Sequence, residues 1–248
     1  MATLGVDVSR WQGDIDWPRL AAEGVLWAGV RASIGNYYTD PKFQANYDGA
    51  WDAGILPFPY HVINPNNGVE SQLTRYKDSL DGRKPEMTVV DAELAGTVSD
   101  MIRRRRYAWF IRNGKDDRDL GSQWILYSNK NFMESYMKSG YMAWVWAENI
   151  PLWVASYGAN DGMQPPTPPY PSLPFQYDEW LAWQYTDKGQ MAGVDGAIDL
   201  NLMQDRFYNN LRIRSGLAEP GASAVPPVPL PDPDPGVVVL APGLYRVV

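Results

Sequence analysis

Met87-Thr88-Val89-Val90-Asp91-Ala92-Glu93-Leu94 is a short apolar run that ends in two carboxylates two residues apart. Residues i, i+2 and i+4 of a strand point to one face, so Val89, Asp91 and Glu93 share one side and Val90 and Ala92 take the other. Two ionised carboxylates a few Å apart oppose each other's charge, and burial raises whichever pKa is less well supported by hydrogen bonds. A solvated strand end, or the first turn of a helix where acids collect, would carry the same triplet. What surrounds the run decides between these readings.

On either side of it, short β-rich runs alternate with helical patterns through the first half of the chain. Strands are read at 4–8, 27–32, 58–63, 87–92 and 124–128, with helices at 17–23, 41–53, 69–80, 99–113 and 131–138. Gly24, Gly54, Gly114 and Gly140 follow four of these helices as stops, and Ser99 stands as an N-cap. Strands at 152–156, 181–185 and 197–200 complete the set, but the segments between them are rich in Pro, Gly, Asn and Asp and carry no helical period. Eight strands with helices after the first five imply parallel pairing through right-handed crossovers, closed into a barrel. An open doubly wound sheet is the alternative, but no Gly-x-Gly-x-x-Gly follows the first strand.

A barrel of this kind carries its chemistry at the C-terminal ends of its strands. Asp7 falls there on the first strand, His61 on the third, Asp91 and Glu93 on the fourth and Tyr127 on the fifth. Tyr157 follows the sixth, Gln184 lies on the seventh and Asp199 on the eighth. Polar residues recur where a site would be. A carboxylate pair with separated pKa values suits glycosidic bond cleavage, one group giving a proton to the leaving oxygen and the other stabilising charge at the sugar carbon.

The totals narrow the chemistry further. The chain has 248 residues, no cysteine and one histidine, His61, so thiolate catalysis, disulfides and a His- or Cys-rich metal site are excluded. Acid–base work falls to carboxylates and tyrosines, with no metal or organic cofactor required. A net charge of -7 argues against nucleic acid or an anionic membrane as a partner, and the arginine run 103–106 reads as a solvated and apolar-covering helix face. No run reaches the length of a membrane span, and residues 1–4 lead straight into a strand with no signal-peptide pattern. The 11 Trp and 15 Tyr suit core filling and also a cleft that stacks on sugar rings.

From about Gly216 the composition changes to a Pro-rich stretch that favours extended conformations and reads as a linker, followed by apolar runs at 237–240 and 244–248. The organisation read from this is a barrel domain at 1–215 and a tail at 216–248. The tail is either the start of a wall-binding module or a strand that docks back on the barrel.

Gly5-Val6-Asp7-Val8-Ser9-Arg10-Trp11-Gln12-Gly13, Ile15-Asp16-Trp17, Arg31-Ala32-Ser33, Tyr38-Thr39-Asp40-Pro41, Tyr60-His61 and Asp91-Ala92-Glu93 occur in this order. They continue with Leu152-Trp153-Val154-Ala155-Ser156-Tyr157, Trp183-Gln184-Tyr185-Thr186 and Ile198-Asp199-Leu200-Asn201. In order and spacing the series resembles glycoside hydrolase family 25, the Chalaropsis-type lysozymes of bacteria, fungi and phage endolysins, over residues 4–210. The resemblance implies an α/β fold, a single modified TIM-like barrel of eight strands and about five helices. It also implies hydrolysis of the β-1,4 bond between N-acetylmuramic acid and N-acetylglucosamine, with bacterial peptidoglycan as partner and a secreted or phage-released protein acting on the cell wall. On the matching positions Glu93 is the general acid, and Asp91, Asp7 and Asp199 are the other active-site acids. Tyr60, Tyr127, Trp153, Tyr157 and Trp183 match substrate-cleft residues, and the strand-end residues His61 and Gln184 join them as candidates. Ile34 and the loop Asn64-Pro65-Asn66-Asn67-Gly68 depart from the pattern at the expected cleft rim.

The expected chemistry has Glu93 protonated, its pKa raised by Asp91 and the barrel interior, and Asp91 ionised, either attacking directly or orienting the substrate's 2-acetamido group. A hydrolase of chitin-like polymers would use the same acids. A non-catalytic glycan-binding barrel would have lost one of Asp91 or Glu93, and neither is lost.

Overall fold

The computed structural model of the chain describes residues 2–217 apart from 139, 141, 143, 144, 146, 147 and 166–169; the Pro-rich tail expected from the sequence lies outside the described residues beyond 217. The strands are β1 (Ala2–Val8), β2 (Trp27–Ile34), β3 (Tyr38–Thr39), β4 (Leu56–Val62), β5 (Met87–Asp91), β6 (Gln123–Asn129), β7 (Leu152–Ala155), β8 (Ala182–Gly189) and β9 (Ile198–Gln204). β3 is a short hairpin partner of β2; the other eight close into a barrel in the order β1-β2-β4-β5-β6-β7-β8-β9, with β9 returning to β1. The helices are α1 (Trp17–Ala22), α2 (Phe43–Asp52), α3 (Val69–Leu80), α4 (Asp100–Lys115), α5 (Lys130–Tyr136) and α6 (Asp205–Ser215).

Pairing from β1 through β2 and β4 to β8 is parallel, as the alternation requires, but β9 runs antiparallel to both β8 and β1. The all-parallel expectation fails at this strand for a simple reason. Only eight residues, 190–197, separate β8 from β9, and a parallel return needs a crossover of a dozen or more. The reversal delivers the chain to the opposite end of the barrel, where the unforeseen helix α6 follows at once. Its Tyr208 and Leu211 join Trp27, Leu56 and Met87, at the starts of the parallel strands, in one buried apolar cluster that closes the barrel floor.

Two apolar layers result from the period of two. Trp27, Phe58, Val89, Ile125 and Trp153 fill the barrel interior, while Val6, Val30, Val90, Leu126 and Val154 face outward beneath the helices. Gly5 and Gly29 sit opposite two of the interior rings: a β-carbon would lie 2.1 Å from Trp27 at position 5 and 2.6 Å from Trp153 at position 29. Small residues there leave room for the indoles.

Gly114 differs from its reading as a helix stop. α4 continues through it to Lys115, and a β-carbon at this position would lie 2.0 Å from the Trp124 ring. Close approach of helix to strand, rather than chain reversal, is why glycine stands there. Gly114→Ala is expected to cost about 1–3 kcal/mol through overpacking and to lower the melting temperature by several degrees; an unchanged melting curve would show that Trp124 moves aside freely.

The arginine run is more occupied than a solvated face. Arg103 is buried and donates to the carbonyls of Ala95 and Val98 and to Asp100, Arg104 donates to the Tyr136 carbonyl, and Arg106 donates to the Pro65 carbonyl. Arg105 is exposed, stacked 3.8 Å over the Trp109 ring. Arg103 thereby pins the loop that leaves β5, directly after the carboxylate pair.

Candidate active site

At the mouth of the barrel a cleft of about 400 Å³ is lined by Asp7, Asp91, Glu93 and Asp199, with Tyr60, Tyr127, Trp153, Tyr157 and Gln184 and also Arg31, Val62, Val89 and Asp187. Strand register brings these together. Val62 pairs with Asp91, Asp91 with Tyr127 and Tyr127 with Trp153, while Ala155 pairs with Gln184, Gln184 with Asn201 and Asp7 with Asp199. Asp199 reaches the mouth from the beginning of its strand and not from the end, because β9 is reversed.

Asp7 is the best-held of the acids. Its Oδ2 accepts from Gln184 Nε2 at 2.9 Å and from Asn201 Nδ2 at 2.8 Å, and Gln184 Oε1 accepts from the hydroxyls of Tyr127 at 2.8 Å and Tyr157 at 2.5 Å. Two phenol donors fix which end of the Gln184 amide faces Asp7. Trp153 Nε1 donates to Asn201 Oδ1 at 2.9 Å and does the same for that amide. The indole stands edge-on to Trp27 and Tyr127, with ring centroids 5.2 and 5.1 Å away, and forms the floor of the cleft.

Burial opposes ionisation throughout this cluster. It raises Asp7 against the hydrogen bonds of Asn201 and Gln184, and it pushes Asp199 up to about 9, helped by the Asp7 charge and by a hydrogen bond that Asp199 in its protonated form gives to Asp7. Glu93 stands just beyond the end of β5, with part of its side chain open to solvent; loss of water around the carboxyl and the Asp7 charge raise it, and a hydrogen bond from Asn129 lowers it. Asp91 is buried, its Oδ1 has no hydrogen-bond partner, and burial followed by the charges of Glu93 and Asp7 holds its pKa well above the ordinary carboxylate range.

With the cleft empty, burial and the charges of Glu93 and Asp7 oppose the Asp91 anion, which lacks a donor where Glu93 has Asn129, so an ionised Asp91 needs a donor from outside the protein. Arg31 is the nearest cation, but Asp40 already takes its Nε at 2.8 Å.

The Asp199 shift has a direct consequence for stability. Between the ordinary value of 3.8 and about 9, the folded protein keeps a proton that the unfolded chain has released, so stability falls as pH rises through that window. Asp199→Asn is therefore expected to raise the melting temperature at pH 8 by a few degrees, about 1 kcal/mol or more, and to change it little at pH 3.5. Equal effects at both pH values would assign the change to packing and not to the proton.

Two sequence candidates do not reach the cleft. His61 is fully buried on the outer face, with Nδ1 2.8 Å from Ser33 Oγ, Nε2 3.4 Å from Gln72 Oε1 and its ring stacked on Phe110 at 4.7 Å. Burial lowers its pKa to about 3, which leaves it neutral. A bulge between Arg31 and Ser33 turns Ser33 outward to meet it. Trp183 likewise faces outward, packs on Trp180 and Tyr185, and donates to the Ser156 carbonyl at 2.7 Å. Both neighbours of each residue point inward; being near a strand end was right, and the face was wrong.

Arg31, Asp187, Asn129 and Asn201 take part without having been named as site candidates, Arg31 and Asn201 having stood only within the quoted motifs. Asn201 was legible, two residues from Asp199 on the same strand face. Asn129 is the N-cap of α5, its Oδ1 accepting from the Phe132 N–H at 2.9 Å, and that capping role alone would have accounted for it. Nothing local marks Asp187.

A closed eight-stranded barrel whose mouth gathers five carboxyl groups, Asp7, Asp91, Glu93, Asp187 and Asp199, is the architecture of a barrel glycoside hydrolase. The chain belongs to the glycosyl hydrolases family 25, whose sequence profile matches residues 6–194. It is 29% identical over 208 residues to the uncharacterized protein YegX of Escherichia coli strain K12, spanning 80% of this chain and 68% of that one. It is 26% identical over 213 residues to lysozyme M1 of Streptomyces globisporus, spanning 79% and 66%. Among solved structures, the bacterial lysozyme of Streptomyces coelicolor superposes with a TM-score of 0.72 at 26% identity, covering 88% of this chain and 99% of that one.

Proposed function

We propose that the protein is an N-acetylmuramidase that hydrolyses the β-1,4 bond between N-acetylmuramic acid and N-acetylglucosamine in bacterial peptidoglycan. The observation that carries this reading is the pairing of a solvent-reached carboxyl, Glu93, with a buried carboxyl, Asp91, whose Oδ1 has no partner in the cleft. Family membership and the lysozymes among its relatives support it.

An orphaned buried acceptor is costly unless a ligand donates to it. The N–H of a 2-acetamido group is such a donor. Once it is in place, Asp91 is stabilised as the anion, and the proton of the coupled pair passes to Glu93. Glu93 then gives that proton to the glycosidic oxygen as the C1–O bond breaks, while the acetamido carbonyl oxygen, aimed by Asp91, bonds to C1. Water opens the resulting ring, losing its proton to Glu93 and restoring the original configuration at C1. Asp7 and Asp199 share a proton behind the pair and keep the cleft's negative charge near the developing cation. The tyrosines and Trp153 supply apolar faces and hydroxyls for the sugar rings.

Digestion of purified peptidoglycan, followed by reduction and mass spectrometry of the fragments, tests the assignment. New reducing ends on N-acetylmuramic acid are expected. Ends on N-acetylglucosamine would mean a different bond is cut, and no release from several wall types would leave a glycan-binding barrel.

A further inference from the structure

Beside the cleft, the turn after β1 holds a guanidinium and an indole out from the surface. Ser9 N–H donates to Gln12 Oε1 at 2.9 Å, Trp11 N–H to Ser9 Oγ at 3.3 Å and Arg10 N–H to Asp40 Oδ2 at 3.2 Å, so the backbone of residues 9–12 is tied at three points. Trp11 is nevertheless 72% exposed. The Arg10 guanidinium lies 4.5 Å from the Trp11 ring centroid and 5.5 Å from that of Tyr38, and Arg31 of the cleft wall lies 5.8 Å from the same Tyr38 ring. Arg31 is paired with Asp40 and Lys42 with Asp14, but among the described residues no carboxylate lies within ion-pair distance of Arg10.

We infer that Arg10 and Trp11 form a subsite for a carboxylate-bearing arm on the substrate sugar. This rests on the muramidase reading, since the muramic acid unit is the one that carries such an arm, as a lactyl carboxylate or as a peptide ending in carboxylates. A cleft lined by Asp7, Asp91, Glu93, Asp187 and Asp199 repels anions. A cation held at its edge on an aromatic shelf compensates at the place where the arm leaves the sugar ring. The indole covers the apolar part of the arm, and the planar guanidinium takes the carboxylate in a bidentate pair. A neutral N-acetylglucosamine polymer has nothing for this shelf, so the subsite selects muramoyl glycans over chitin-like ones.

Calorimetric titration of the Glu93→Gln protein, which retains the cleft but is silenced for turnover, tests the subsite apart from the reaction. N-acetylmuramic acid offers the lactyl carboxylate, N-acetylmuramoyl dipeptide offers only peptide carboxylates, and tri-N-acetylglucosamine offers neither. Adding Arg10→Gln is expected to weaken one or both muramoyl ligands about fivefold, more at low salt than at high, and to leave tri-N-acetylglucosamine unchanged. The ligand that loses affinity identifies the carboxylate. Trp11→Ala is expected to add a further loss, and Arg10→Lys to restore part of it. Unchanged affinity for both muramoyl ligands, an equal loss for all three, or no muramoyl binding before Arg10 is changed would overturn the subsite. Failure of the peptidoglycan digest by the unmodified protein is a separate result and bears on the muramidase reading.

Discussion

Glu93→Gln is expected to lower kcat on peptidoglycan about a thousandfold with little change in KM. The substitution keeps the size of the side chain and a hydrogen-bonding partner for Asn129, and removes only the transferable proton. General acid catalysis is worth about 10²–10⁴-fold, and a sugar alkoxide, a poor leaving group, needs the upper part of that range. The loss should shrink to about tenfold or less with an aryl glycoside of the same disaccharide, because a phenolate leaves without protonation. Equal losses on both substrates would place Glu93 in binding or positioning, and a loss under tenfold on peptidoglycan would remove it from the proton-transfer step.

Asp91→Asn is expected to be nearly as damaging to turnover while making the protein more stable. The amide still accepts a hydrogen bond from the acetamido N–H, but it carries no charge to set against the cation that forms at C1, a loss of about 10²–10³-fold in kcat. In the empty protein the same change removes a buried carboxyl that has an unpartnered oxygen and lies beside Glu93 and Asp7. Because burial and those charges raise the Asp91 pKa, its cost to the fold is absent below the ordinary carboxylate pKa and grows as pH rises. The melting temperature of Asp91→Asn should thus exceed that of the parent at pH 7 and match it near pH 3. A variant that is inactive and also less stable at pH 7 would mean that Asp91 holds the site together and that its chemical role has been misread.

Much of the barrel was legible because its signals are local. Short β-rich runs marked all eight barrel strands, and the helix read at about 69–80 matches Val69–Leu80, because a helix of 12 residues carries several turns of period. Direction is a different matter. A strand pattern is the same in either sense, and only the short 190–197 connection, with no helix in it, distinguished β9 from its neighbours. The acids were found as a set for a related reason: strand ends supply the mouth whichever way a strand runs, so Asp199 was placed correctly on a wrong premise. His61 and Trp183 show the limit of the method. Both faces of β4 and of the first half of β8 are buried, one toward the barrel interior and one toward the helices, so a strand-end residue does not show from its position alone which way it points. The bulge at Ala32 that brings Ser33 to His61 leaves no trace in composition.

The reversal of β9 has a practical side. Ala2 pairs with Gln204 at the floor, and Leu217, whose N–H donates to the Arg212 carbonyl, packs there as well. Both ends of the described fold thus emerge on the face opposite the acids. A tether or fusion partner joined at either end would stand behind the barrel, and a bead or surface coupled through it would present the cleft outward, clear to meet an insoluble polymer.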